Sequence, residues 1–136
     1  MLIAILPADL NDVPDVVTPE YVATQPLVLE HERGAVHALA MQWLSSQLPL
    51  ERATMHIGTI EAVKTLVASG MGMSIVPDLA VSAESSDIVV RPLRPRIPCT
   101  LGLIEQLTRP TNPALDIVRE ALLGLQVPFN GSAGVF

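Results

Sequence analysis

Cysteine is almost missing from this chain: Cys99 stands alone among 136 residues. No internal disulfide can form, which fits a reducing compartment and points to the cytoplasm. Aromatic residues make up only 3% of the sequence. That argues against a platform of stacked rings for single-stranded nucleic acid, and it leaves Val, Leu, Ile, Ala and Met to build the core. Basic residues are few as well: eight Lys and Arg face fourteen Asp and Glu, a formal net charge of −6, and only Arg91, Arg94 and Arg96 lie close together. Nucleic-acid affinity rests on clustered cations, so this chain by itself is expected to bind neither DNA nor RNA, nor an anionic membrane surface. No apolar run reaches the length of a bilayer. The opening MLIAIL lacks the basic flank of a signal peptide and runs at once into Pro7 and Asp9.

What is present is patterned for folding. The apolar share is 49% and the charged share 16%, the balance of one folded domain with a real core. Leu2 to Leu6 is a short apolar run closed by Pro7 and reads as a buried strand. A central strand starting almost at Met1 implies that something upstream has been removed. Asp9 to Val17, acidic and carrying Pro14, reads as a loop. Thr18-Pro19-Glu20 is a helix start, with Thr18 as N-cap and Pro19 in the first turn, and Gln25-Pro26 stops that helix. Leu27 to Leu29 is the next strand. After the polar turn Glu30 to Gly34, a helix is expected from Ala35 to Ser46. Its Val36, Leu39, Ala40, Trp43 and Leu44 recur at helical spacing, and Pro49 ends it.

Ala53 to Ile57 reads as a strand. A second amphipathic helix follows, with Thr59 as its N-cap, Ile60, Val63, Leu66 and Val67 on one face, and Gly70 as a left-handed C-terminal cap. Met73 to Val76, Ile88 to Leu93 and Leu101 to Glu105 read as strands, and Asp78 to Ala83 as one or two helical turns. Asn112-Pro113 opens a last helix that is expected to bury Leu115, Val118, Leu122 and Leu123, with a loose tail behind it. Strands alternating with helices predict an α/β fold with a mostly parallel sheet and helices on both faces.

Few residues offer chemistry. Gly70-Met71-Gly72 superficially matches a nucleotide loop, but the dinucleotide fingerprint runs strand, glycines, helix. Here the order is helix, glycines, strand, and a third glycine is missing, so the glycines read as a helix cap and a tight connection. His31, His37 and His56 show no H-x3-H or H-E-x-x-H spacing, and Cys99 has no cysteine partner, so no metal is expected. Glu30, His31 and Glu32 read as a solvated polar turn. No G-x-S-x-G occurs, and Ser69 and Ser74 have no visible base. With no acid–base or nucleophile constellation, the chain is expected to be no enzyme and to need no cofactor. What remains is Gly58-Thr59 at a helix start. Exposed N–H groups and the positive end of the helix dipole favour a carboxylate, sulfate or phosphate there; a plain N-cap is the other reading. In open α/β sheets ligands sit beyond the carboxyl ends of parallel strands, where the turns after Leu29 and after Ile57 both fall.

These residues carry a family resemblance. Ile57 to Pro77, IGTIEAVKTLVASGMGMSIVP, resembles the segment (V)GS-x-EA(V/I)K-x-LVA-x-G-x-G-(V/I)-x-(L/I)-(L/V)-P of LysR-type transcriptional regulators. Leu6 to Leu44 is similar to that family's loop, short helix, PLIL strand and long helix. Val90 to Leu122 is similar to its closing strands and last helix. The resemblance implies a periplasmic-binding-protein-like (type 2) effector domain, two α/β subdomains with a small effector between them. On that mapping residues 27–90 are a complete second subdomain. Residues 1–26 are a strand and linker of a partial first one, 91–124 return to it, and 125–136 are a flexible tail. The winged helix-turn-helix of the family and the first half of its first subdomain are not in this sequence.

The implied function is effector sensing for a cytoplasmic DNA-binding transcription regulator, with DNA reached only through that helix-turn-helix. The implied effector-binding positions are Glu30, His31 and Glu32 after the PLIL strand, and Gly58, Thr59 and Ile60 before the signature helix. The implied partners are a small-molecule effector and a second copy, in a homodimer or higher oligomer, with Leu39 and Trp43 on the long helix as interface residues. A solute-binding protein of the same architecture is the alternative, and a small α/β enzyme ranks below both.

Overall fold

Alternation along β1, Leu2–Pro7, sends Leu2, Ala4 and Leu6 to one face of a sheet and Ile3 and Ile5 to the other. The computed structural model, which describes residues 1–31, 33–48, 54–81, 86–100, 102–105 and 112–124, places this strand between two others. β1 runs antiparallel to β4, Ser74–Pro77, and to β5, Ile88–Pro92. β2, Leu27–Glu30, runs parallel to β3, Thr54–Ile57. A parallel bridge between Leu27 and Met73 joins the two groups: Val28 N–H donates to Met73 O at 2.8 Å, and Met73 N–H donates to Pro26 O at 3.0 Å. The strand order is therefore β3-β2-β4-β1-β5, with β1 alone reversed.

Helices cover both faces, as the strand–helix alternation predicts. On one side lie α1, Pro19–Ala23, and α2, Ala35–Trp43. They enclose Leu6, Val22, Leu27, Leu29, Ala40, Leu44, Met73 and Ile75. On the other side α3, Ile60–Ala68, lays Val63 and Val67 against Ile5, Val28, Val76 and Ile88. Val63 and Val67 are one helical turn apart, so both point into the same face.

The local signals explain where these elements start and stop. Pro19 opens α1 after the Thr18 N-cap. Thr59 caps α3, its hydroxyl oxygen accepting from the Ala62 N–H at 3.3 Å, and Gly70 closes it at φ +81°. Gly72 has φ +147°, and a Cβ there would lie 2.5 Å from the Pro26 carbonyl oxygen. The missing side chain is what lets β4 come alongside β2. The long helix is shorter than its periodicity predicts: α2 ends at Trp43 and tightens into a 3₁₀ turn over Ser45–Gln47, and Pro49 lies outside the described residues. Of the turns expected over Asp78 to Ala83, Asp78–Ala80 forms a 3₁₀ turn, and Ser82 and Ala83 lie outside the described residues.

Met1–Cys99 forms one unit and Thr100–Phe136 a second, so β1 and residues 91–99 share a unit with residues 27–90. The second unit holds α4, Pro113–Gly124. Two expectations fail there. The strand predicted over Leu101–Glu105 does not form over 102–105, since no strand among the described residues pairs with it and extended backbone needs such a partner. α4 buries none of its residues: Leu115 is 49% exposed and Leu123 59% exposed, with Val118 and Leu122 alike. Helical periodicity marks the face that can be buried and says nothing of what covers it.

Candidate functional site

Parallel pairing of β2 and β3 sets Glu30 directly beside Ile57, the last residues of the two strands. The turns that follow, toward α2 and toward α3, therefore leave the sheet at the same end and side by side. This is the convergence expected from the sequence.

The α3 turn is open. Gly58 and Thr59 are exposed and Ile60 is half-buried. Thr59 is extended at φ −141° and ψ 146°, with its side chain turned back over the helix start. Its oxygen takes the Ala62 N–H. The Ile60 and Glu61 N–H groups lie ahead in the first turn, where no carbonyl of the helix reaches them, and the Thr59 hydroxyl keeps its proton to donate. Glu61 in the same turn is paired with Lys64, whose Nζ is 3.0 Å from its Oε1.

The α2 turn differs in charge. His31 is exposed, and its Nδ1 accepts from the Arg33 N–H at 3.2 Å while its carbonyl takes the Gly34 N–H at 2.9 Å. α2 starts at Gly34 without a side-chain cap. The Glu30 carboxylate oxygen lies 4.0 Å from the point a Gly34 Cβ would occupy, so the chain's own anion attends this helix start. Glu32 lies outside the described residues.

Leu39 and Trp43 are half-buried against the core, and the Trp43 indole N–H donates to the Pro95 carbonyl at 2.8 Å. Cys99 is half-buried beside the same core. Ser74 is a buried hydroxyl with no hydrogen-bond partner among the described residues. Sequence reading missed one pairing: His37 on α2 and His56 on β3 face each other with Nε2 atoms 3.2 Å apart. They lie in different elements, so no local spacing announces them. Among the described residues no group of three or more His, Cys, Asp or Glu converges on a metal position, and no described helix is long and apolar enough to cross a membrane.

The comparisons with known proteins agree with this layout. The LysR substrate binding domain family model matches residues 1–126. Among solved structures, the regulatory domain of Synechocystis PCC6803 CcmR in complex with 2-PG superposes with a TM-score of 0.68 at 15% identity, over 94% of this chain and 64% of that one. The reduced form of OxyR from N. meningitidis gives 0.56 at 16% identity, over 68% of this chain and 46% of that one. The effector binding domain of QuiR in complex with shikimate gives 0.56 at 14% identity, over 68% and 44%. The chain thus spans only part of each of these structures. No curated protein matches it in sequence. With the family model covering nearly its whole length and the fold shared with these regulators, the chain belongs to the LysR substrate-binding domain family, with that family's type 2 periplasmic-binding-protein-like fold.

Proposed function

We propose that this chain is the small-molecule-sensing part of a LysR-type transcription regulator, with its effector held in front of the carboxyl ends of β2 and β3. The observation that carries the reading is the register of Glu30 with Ile57, which sets the open helix start at Thr59 beside the polar turn at Glu30 and His31. CcmR and QuiR, which share the fold, were solved with 2-PG and with shikimate. Gly58, Thr59 and Ile60 form the anion-facing half of the site, and Glu30 and His31 the other half. The acidic side disfavours a second negative charge and selects effectors with hydroxyl or amino groups there.

The reading assigns no bond-making step to the chain. Effector binding biases the geometry of a regulator that reaches DNA through a helix-turn-helix in the full-length protein, in the cytoplasm. Self-association through α2, with Leu39 and Trp43, belongs to the same reading. A thermal-shift panel of small carboxylic acids, hydroxy acids and amino acids tests it. At least one compound is expected to raise the melting temperature in a saturable way, since a ligand at a hundred times its Kd adds about 2.7 kcal/mol to stability. A panel in which none does contradicts the proposal.

A further inference from the structure

We infer that His37 and His56 form a binding site for a borderline transition-metal dication, Zn2+ or Ni2+, set between α2 and β3. Parallel register pairs His56 with Leu29. Because Leu29 packs into the core beneath α2, alternation puts His56 on the α2 side of the sheet. His37 comes to meet it from the first turns of α2. The two Nε2 atoms are 3.2 Å apart, the ring centroids 5.2 Å apart, and the rings tilted by 57°.

These distances fit shared coordination. With Zn–N bonds of about 2.05 Å at a tetrahedral angle, two imidazoles on one ion place their nitrogens about 3.3 Å and their centroids about 5.2 Å apart. The pair also has the right chemistry, because imidazole suits zinc and nickel while magnesium prefers oxygen. In the metal-free pair one Nε2 donates to the other. On binding, both Nε2 lone pairs turn to the ion, and the proton between them leaves Nε2 for the Nδ1 of the same ring or for solvent.

The proposed site requires no more than these two imidazoles from the chain, and the affinity expected of it is that of a two-ligand site. His56 is exposed and His37 half-buried, so an ion reaches them without the chain opening. A bound ion would clip α2 to β3.

The test is titration of the intact chain with ZnCl2, NiCl2 and, separately, MgCl2, read by calorimetry and by melting temperature. One Zn2+ or Ni2+ per chain is expected, with an upward shift in melting temperature and no response to Mg2+. His37→Gln and His56→Gln should each weaken binding at least about tenfold, since even outer-shell changes cost that much, while keeping the metal-free fold by circular dichroism. A measurement on the unaltered chain stands beside the variants: Ni2+ should broaden the NMR ring signals of His37 and His56 and spare those of His31. A chain that binds neither ion, variants that bind as tightly as the parent, or broadening centred on His31 would each overturn the site.

Discussion

Trp43 and Pro95 are joined by a 2.8 Å hydrogen bond from the indole Nε1 to the carbonyl oxygen, across 52 positions of sequence. The bond fastens the end of α2 to the segment that follows β5, with the ring laid on the core that contains Leu44, Leu93 and Ile97. Trp43→Phe keeps most of the ring and deletes the donor. It should cost about 1 kcal/mol in urea unfolding, the usual net worth of such a bond. An unchanged midpoint would show that the Pro95 carbonyl is satisfied without it.

The two glycines after α3 should respond unequally to alanine. Gly70 is left-handed at φ +81° with open space around it, whereas Gly72 combines φ +147° with a backbone oxygen 2.5 Å from any Cβ. Gly70→Ala should lose about 1–2 kcal/mol from conformation alone. Gly72→Ala carries the conformational strain and must also push β2 away from β4, so it should lose more, at least about 3 kcal/mol. Equal losses by chemical denaturation would mean that the approach to Pro26 relaxes freely.

Acid stability has a local contribution at α1. The Glu20 carboxyl is held below its ordinary range, first by a hydrogen bond to its own backbone N–H and then by the Thr18 side chain. A carboxyl that is more acidic in the folded chain stabilises the fold above the unfolded value, and this contribution fades as pH falls through the lower folded value. Melting temperatures of the parent and Glu20→Gln should therefore differ most above pH 4.5 and converge at lower pH. A difference that grows on acidification would reverse the assignment.

Much of the fold was legible because its signals are local. Thr18-Pro19 and Thr59 mark helix starts within a few residues, Gly70 marks a helix end, and apolar runs mark β1, β2 and β4. The common edge of β2 and β3 was legible for a related reason. Two parallel strands that end in polar turns predict a shared edge, and the Glu30–Ile57 register supplies it. What escaped depends on partners distant in sequence. The alternation of strands and helices does not reveal that β1 runs against its neighbours. The apolar pattern of α4 does not say what covers Leu115 and Leu123. The extended look of Leu101–Glu105 does not supply a strand to pair with it. His37 and His56 meet only because one helix folds back over one strand.

In the proposed function the helix start at Thr59, beside Glu30, holds the effector. Calorimetric titration of the stabiliser found in the thermal screen tests it, using the parent chain, Thr59→Ala and Thr59→Ser well below their melting temperatures. Thr59→Ala also loses the bond to Ala62 and about 1 kcal/mol of helix capping, so affinity rather than stability must be read. Thr59→Ser should bind nearly as the parent does, and Thr59→Ala roughly three- to tenfold more weakly, the worth of one hydrogen bond. Equal affinity of all three chains for the same ligand would contradict it.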